Sequence, residues 1–343
     1  MSKEKIDIGN HLSETATLVR FTTKFWSGIK SDKFLEKKLV ESTNCDKGSV
    51  NAQKYLVGKE YAKHFRSIIN QVRNEYYYPL TLAWDDNTHD NDGKVVSGWR
   101  LCPNRNLDKL VYELDKAEIN FKKEVRGFIK DYPTLISEAK QKLGEAFNIE
   151  DYPQPEKLVT YYTDNEGKER MRGKFRFDVK FNEIPNWAQH KSKDVRLNIS
   201  SSVINRIKND VESRVLVNRN NSMKTYLKDI EKKAYDLAER LANYDPKDKK
   251  NRSFFKNQGI NTLRGIVQVL PSMNEDVFGN DETINEIHQK LVVALAGIGN
   301  PEELREDSAT AKEKRANIST KLKKAVDPIN QGFMDQLAGG GND

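Results

Sequence analysis

Between Ser201 and Tyr244 the chain has neither Gly nor Pro. Apolar positions fall at Ile204, Ile207, Val211 and Val215, then at Met223, Leu227, Ile230, Ala234, Leu237 and Leu241. The second group steps by four, three, four, three and four, the seam of a coiled-coil helix. Straight, an element of this length spans about 60 Å at about 1.5 Å per residue. The run Asn218–Ser222 (NRNNS) leaves two readings open. Asn is a poor helix-interior residue and Ser222 a good N-cap, so the stretch is either one helix or two joined there.

Helical spacing recurs elsewhere. Lys59–Tyr77 carries Tyr61, Phe65, Ile68, Ile69 and Val72 and meets a stop at Pro79. Leu107–Tyr132 has the face Leu107, Leu110, Leu114, Phe121, Val125 and Phe128; Pro133 is expected to interrupt it, with a restart over Thr134–Phe147. Shorter helices are expected at Lys33–Glu41 and Glu156–Tyr162. Phe254–Leu270 is expected to stop at Pro271, Asp281 to cap a helix reaching Ala296, and a charged helix to run over Glu302–Val326. Alternation with β-branched and aromatic residues marks strands at Thr17–Ser27 and Lys174–Phe181, and a second short one is expected at Arg196–Ile199. Residues 80–103 read as an extended arm, a polar loop and an extended return.

These elements predict a mainly α protein of the α+β kind, with long coiled-coil hairpins and a small antiparallel β-sheet head. The expected order is a flexible arm at 1–16, the head at 17–200, a helical coiled-coil domain at 201–330 and a flexible tail at 331–343. Composition agrees: apolar residues are 36% and charged residues 32%, which suits helices with narrow apolar stripes better than a thick buried sheet. No apolar run of 18 residues exists, so no membrane partner is expected, and the first 14 residues lack the apolar core of a secretion signal. Cys45 and Cys102 read as reduced thiols of a cytoplasmic protein.

Charge sharpens the picture. Residues 185–256 hold 17 Lys and Arg against 9 Asp and Glu, a net of +8, whereas 257–343 hold 9 against 13, a net of −4. The cations Arg206, Lys208, Arg214, Arg219, Lys224, Lys228, Lys232 and Lys233 lie along the long helical stretch, and Lys249, Lys250 and Arg252 follow it. A rod so charged is a candidate for contacting the phosphates of DNA or RNA. The interleaved Asp210, Glu212, Asp229, Glu231, Asp236 and Glu239 give the other reading, a solvated helix face laced with i,i+4 pairs.

No catalytic motif stands out. The loop DDNTHDNDG (Asp85–Gly93) gathers oxygen ligands, but Thr88 and Trp99 stand where a calcium loop needs acids, so it reads as a solvated hairpin tip. The five histidines form no metal-binding pair, and neither a phosphate-binding Gly-rich loop nor a nucleophile elbow is present. No metal, cofactor or catalytic residue is expected.

A further set of motifs carries a resemblance: TLAW (Thr81–Trp84), GWRLCP (Gly98–Pro103), FKKEVRGFIKDYP ending at Tyr132-Pro133, EAKQKLGEAF, and DYP (Asp151–Pro153), followed by the strand KFRFDVKF. The order resembles an uncharacterised family of bacterial and phage proteins known only as a domain of unknown function. Its members carry TLPW, G-x-R-L-L-P, a helix ending F-x-x-x-Y, LG-x-x-F and DYP. Here Ala83 replaces the Pro, Cys102 replaces a Leu, and the loop between Trp84 and Gly98 is longer. Trp84, Gly98, Arg100, Pro103, Tyr132, Tyr152 and Pro153 are the residues that carry it. The family's genes tend to lie beside AAA+ ATPases of the MoxR or cobaltochelatase type. The resemblance therefore implies an adaptor or scaffold in an ATP-driven remodelling system and transfers no catalytic residue. Two alternatives stand beside that expectation: a nucleic-acid-binding protein using the basic rod, and a structural component of a virion or filament, with homo-oligomers expected in both.

Overall fold

The computed structural model describes residues 8–46, 48–84, 98–184, 201–247 and 255–329. The elements, in order, are α1 (Ile8–Thr15), β1 (Ala16–Lys24), β2 (Ile29–Ser31), α2 (Lys33–Thr43), β3 (Gln53–Tyr55), α3 (Lys59–Val72), α4 (Tyr78–Leu80), β4 (Leu82–Ala83), β5 (Arg100–Pro103), α5 (Asn104–Leu143), α6 (Pro155–Leu158), β6 (Val159–Thr163), β7 (Glu169–Gly173), β8 (Arg176–Asn182), α7 (Ser201–Ala242), α8 (Asn257–Met273), α9 (Glu282–Ala296) and α10 (Ala309–Pro328). The protein is mainly helical with a small antiparallel sheet component. Among the described residues no helix is long and apolar enough to cross a membrane.

The chain divides into two compact units, one formed by residues 1–20, 74–110 and 180–343, the other by 21–73 and 111–179. This interleaved division differs from a head at 17–200 followed by a helical domain at 201–330. In the first unit the N-terminal segment and the β4–β5 hairpin cluster with the C-terminal helices, because they bury their apolar faces on them. Residues 8–15 are accordingly a helix with Leu12 fully buried rather than part of a flexible arm. The expected arm and tail over 1–7 and 331–343, and the Arg196–Ile199 strand, lie outside the described residues.

In the first unit the start of β1 pairs antiparallel with β5, Ala16 opposite Pro103 and Val19 opposite Arg100, and β5 pairs in turn with β4. The helices α7, α8, α9 and α10 form the rest. The predicted seam Met223, Leu227, Ile230, Ala234, Leu237 and Leu241 is buried throughout. It is shared: α7 packs on α10 and α8, and also on α1 and β4. Helix α7 runs unbroken through Asn218–Ser222. Ser222 is buried with its Oγ against the carbonyl of Asn218, at 2.7 Å, and that of Ala83. A hydroxyl satisfied by its own helix and by a neighbouring strand has no reason to start a new helix.

The turn from α8 to α9 is built by one buried amide. After α8 comes a π-helical turn, Asn274–Phe278, then Gly279 at φ 83°. Asn274 donates to the Asp281 carbonyl at 2.9 Å and accepts from the Asp281 N–H at 2.9 Å. The Asp281 side chain caps α9 by accepting from the Ile284 N–H, as its position in the sequence predicts.

The second unit has an aromatic core. Phe21 and Phe177 lie 4.8 Å apart, Phe65 and Phe175 5.1 Å, and Phe65 and Phe121 5.6 Å, tilted or edge-on as ring quadrupoles prefer. The predicted strand at the end of the aromatic alternation is β8, with Phe175 and Phe177 buried and Phe181 exposed. Strand β8 neighbours β1 in the strand order.

Three expectations are corrected. Pro133 does not interrupt α5, which continues to Leu143, and Pro271 lies inside α8. Both prolines are exposed, so each ring lies on the solvent side of its helix and displaces nothing from the buried face. The helix expected over Glu156–Tyr162 ends at Leu158, and Val159–Thr163 is instead a strand paired with Glu169–Gly173 across an Asp164–Lys168 turn. Gly173 closes this hairpin at φ 123°, with a built Cβ only 2.6 Å from the Leu158 carbonyl oxygen, which accepts from the Lys174 and Phe175 N–H groups.

Candidate functional site

The basic rod does not present its cations as one surface. Arg219 turns inward and donates Nε–H to the Val277 carbonyl at 2.7 Å, and burial lowers its pKa. Arg214 pairs with Asp210 at 2.5 Å, and Lys233 pairs with Asp229. Arg206, Lys224, Lys228 and Lys232 are exposed. The side chain of Lys208 and the whole of Lys249, Lys250 and Arg252 lie outside the described residues, as does the Asp85–Gly93 loop. Two of the carboxylates that alternate with the cations in sequence, Asp210 and Asp229, thus meet them on α7.

Part of that alternation lines a groove. Asp229, Lys233, Asp236 and Arg240 follow one another at steps of four, three and four, so they share a stripe of α7. Facing it are Gly259, Thr262 and Ile266 of α8, with Tyr78 and Pro79 at α4 and with Phe255; the groove encloses about 480 Å³. Tyr226 is buried beneath it, its Oη 3.4 Å from the Ile266 carbonyl, and burial raises its pKa. Charges of both signs therefore rim a floor of Pro79, Leu237, Phe255 and Ile266.

The motif residues form two internal networks. In the first unit Arg100 donates Nε–H to Thr81 Oγ1 at 2.7 Å and Nη2–H to the Thr81 carbonyl at 2.9 Å, and its guanidinium lies over the rings of Tyr77 and Tyr78. The Trp84 N–H donates to the Trp99 carbonyl at 3.0 Å, next to Gly98, while Pro103 is buried at the end of β5. These bonds knit β4 to β5. In the second unit Tyr132 donates its hydroxyl to the Pro153 carbonyl at 3.1 Å, and Tyr152 stacks near Phe147. Asp151, beside them, accepts from Lys30 at 2.5 Å and Lys54 at 2.7 Å. Each of these residues has a structural task.

Among the described residues no group of His, Cys, Asp and Glu converges as metal ligands do. Reasoning from sequence missed the groove, because it joins the successive helices α7 and α8 to Tyr78 and Pro79, far earlier in the chain. It also missed a cluster of Lys24, Arg66 and Arg73 in the second unit. The spacing of Arg66, Asn70 and Arg73 on one helix face was a usable signal for that cluster. No protein-family model, curated protein or solved structure matches the chain.

Proposed function

We propose that this chain is a non-enzymatic adaptor or scaffold whose α7–α8 groove receives a polypeptide segment of a partner protein. The observation that carries this reading is the alternation Asp229, Lys233, Asp236 and Arg240 above an apolar floor. Mixed charge over buried apolar surface suits a peptide, whereas carboxylates on the rim repel phosphate. The partner implied by the sequence resemblance is an AAA+ ATPase of the MoxR type, in a bacterial or phage setting and in the cytoplasm. In this reading α7, α9 and α10 serve as coiled-coil hairpins that give the groove a rigid back.

Co-purification with a MoxR-type ATPase, and the ATPase rate with and without the chain, test it. Binding that is lost in an Asp236→Lys, Arg240→Glu double variant supports the groove. Neither binding nor a change in ATPase rate defeats the reading.

A second reading rests on Lys224, Lys228 and Lys232. They lie at successive i,i+4 positions, are exposed, and among the described residues form no ion pair. Nucleic-acid binding through this stripe predicts a negative slope of log affinity on log salt, shallower by about 3 when all three become Gln.

A further inference from the structure

One depression of the second unit is lined by cations without a carboxylate. It encloses about 390 Å³ between the end of β1 and the face of α3, with Lys24, Arg66 and Arg73 on its walls beside Asn70, Thr23 and Phe25. Arg66, Asn70 and Arg73 stand at i, i+4 and i+7, so they project from one side of the helix. Arg73 donates Nη2–H to Thr23 Oγ1 at 2.9 Å, and its guanidinium carbon lies 5.5 Å from the centre of the Phe21 ring. The guanidinium of Arg66 lies 6.0 Å from the centre of the Phe25 ring.

These contacts orient the guanidiniums without neutralising them, because a hydroxyl and a ring face carry no net charge. Among the described residues none of Lys24, Arg66 and Arg73 forms an ion pair. Other cations of this unit do find carboxylates, Lys30 and Lys54 at Asp151, Arg126 at Glu169 and Arg170 at Asp164, whereas these three share one depression without any. Three like charges held together repel one another, and an oxyanion among them removes that cost. Lys24 and Arg66 are exposed, so the depression is open to a ligand from solution.

We propose that this depression binds a small phosphorylated ligand through its phosphate group. A phosphomonoester carries about two negative charges near neutral pH, against one for a carboxylate, and so better matches three cations. Two guanidinium forks suit phosphate oxygens, and the Asn70 amide adds a neutral donor. A single compact group of cations fits a terminal phosphate or diphosphate. A nucleic-acid strand instead needs cations spread along a path. The site is separate from the α7–α8 groove, and its fate does not depend on the adaptor reading.

Isothermal titration of the full chain with inorganic pyrophosphate and with ADP tests the proposal, the two arms separating a free from an esterified phosphate. A single-stranded oligonucleotide is the third probe. Binding of pyrophosphate or ADP at one site per chain is expected, weakening with salt and falling by about tenfold or more in Lys24→Glu and in Arg66→Glu, a loss of about 1.4 kcal/mol. Both substitutions are at exposed positions, and an unchanged melting temperature shows that the fold is retained. Arg73→Gln also removes the bond to Thr23, so the two exposed variants decide. Failure of both small probes to bind overturns the proposal, and so does binding indifferent to the two variants. Oligonucleotide binding that needs Lys24 and Arg66 while both small probes fail overturns it in favour of nucleic acid.

Discussion

Arg219 donates its Nε–H to the carbonyl of Val277 at 2.7 Å, tying the middle of α7 to the π-helical turn that follows α8. By sequence it is one more cation on a basic rod. By structure it satisfies a backbone acceptor of a residue that is itself buried. Arg219→Ala should lower unfolding stability by about 2 kcal/mol, because a buried acceptor is left unpaired. Denaturant titration checks this. Any affinity of the chain for nucleic acid should stay unchanged, unlike in the Lys224, Lys228 and Lys232 variants.

Asp151 couples the second unit to pH. Its carboxylate is 6% exposed. Burial alone raises its pKa, but hydrogen bonds from Lys30 and Lys54 outweigh that and hold it below the usual carboxylate range. A depressed folded pKa gives stability that is present above the unfolded value, about 3.9, and lost as pH falls through the folded one. Stability should therefore drop more steeply below about pH 4 in the natural chain than in Asp151→Asn, which should itself be about 2 kcal/mol less stable at pH 7. Urea melts of both proteins between pH 3 and 7, as an approximate working range, check it.

The two thiols should differ in reactivity. Cys102 is fully buried in β5 and burial pushes its pKa up to about 12, whereas Cys45 is half-buried. A thiol reagent should modify Cys45 alone in the native chain and both residues in denaturant. Rapid native labelling of Cys102 would contradict the burial.

Gly173 and Gly167 both have positive φ, but only Gly173 faces a backbone oxygen at 2.6 Å; nothing lies within 4 Å of a Cβ at Gly167. Gly173→Ala should cost about 3 kcal/mol and Gly167→Ala about 1 kcal/mol. Equal losses in thermal melts would mean that backbone strain alone matters.

Pro133→Ala should stabilise the chain. It restores one exposed helical hydrogen bond in α5, worth up to about 3 kcal/mol, and gives back roughly 1 kcal/mol by loosening the unfolded chain. A net gain of about 1–2 kcal/mol is expected, and a loss would show that the proline is needed for packing.

What sequence reveals here follows from where the deciding contacts lie. The seam from Met223 to Leu241 and the cap at Asp281 are local patterns, and both are legible. Proline was a poor guide to helix ends, because whether it breaks a helix depends on whether its face is wet. The β6–β7 hairpin hid behind charged residues: of Glu169–Gly173 only Met171 is buried, so strand alternation barely registers. The groove brings Tyr78 and Pro79 to α7, and the cation cluster brings Lys24 to Arg66 and Arg73; the helical spacing of Arg66, Asn70 and Arg73 hints at one wall of the cluster, but no local pattern tells which residue it meets.

The interleaved division has a consequence for synthesis. The chain passes between its two units at 20/21, 73/74, 110/111 and 179/180. Residues 21–179 contain the whole second unit and have left the ribosome before the last and longest segment of the first unit, 180–343, is made. The first unit begins with α1 and needs α10, which packs on α7, to be complete. Its earliest segments must therefore wait, with Leu12 and the β4–β5 hairpin uncovered, until nearly the last helix has been translated. A truncated product ending near residue 200 would carry a finished second unit and an orphaned fragment of the first, which marks it for proteolysis or chaperone capture.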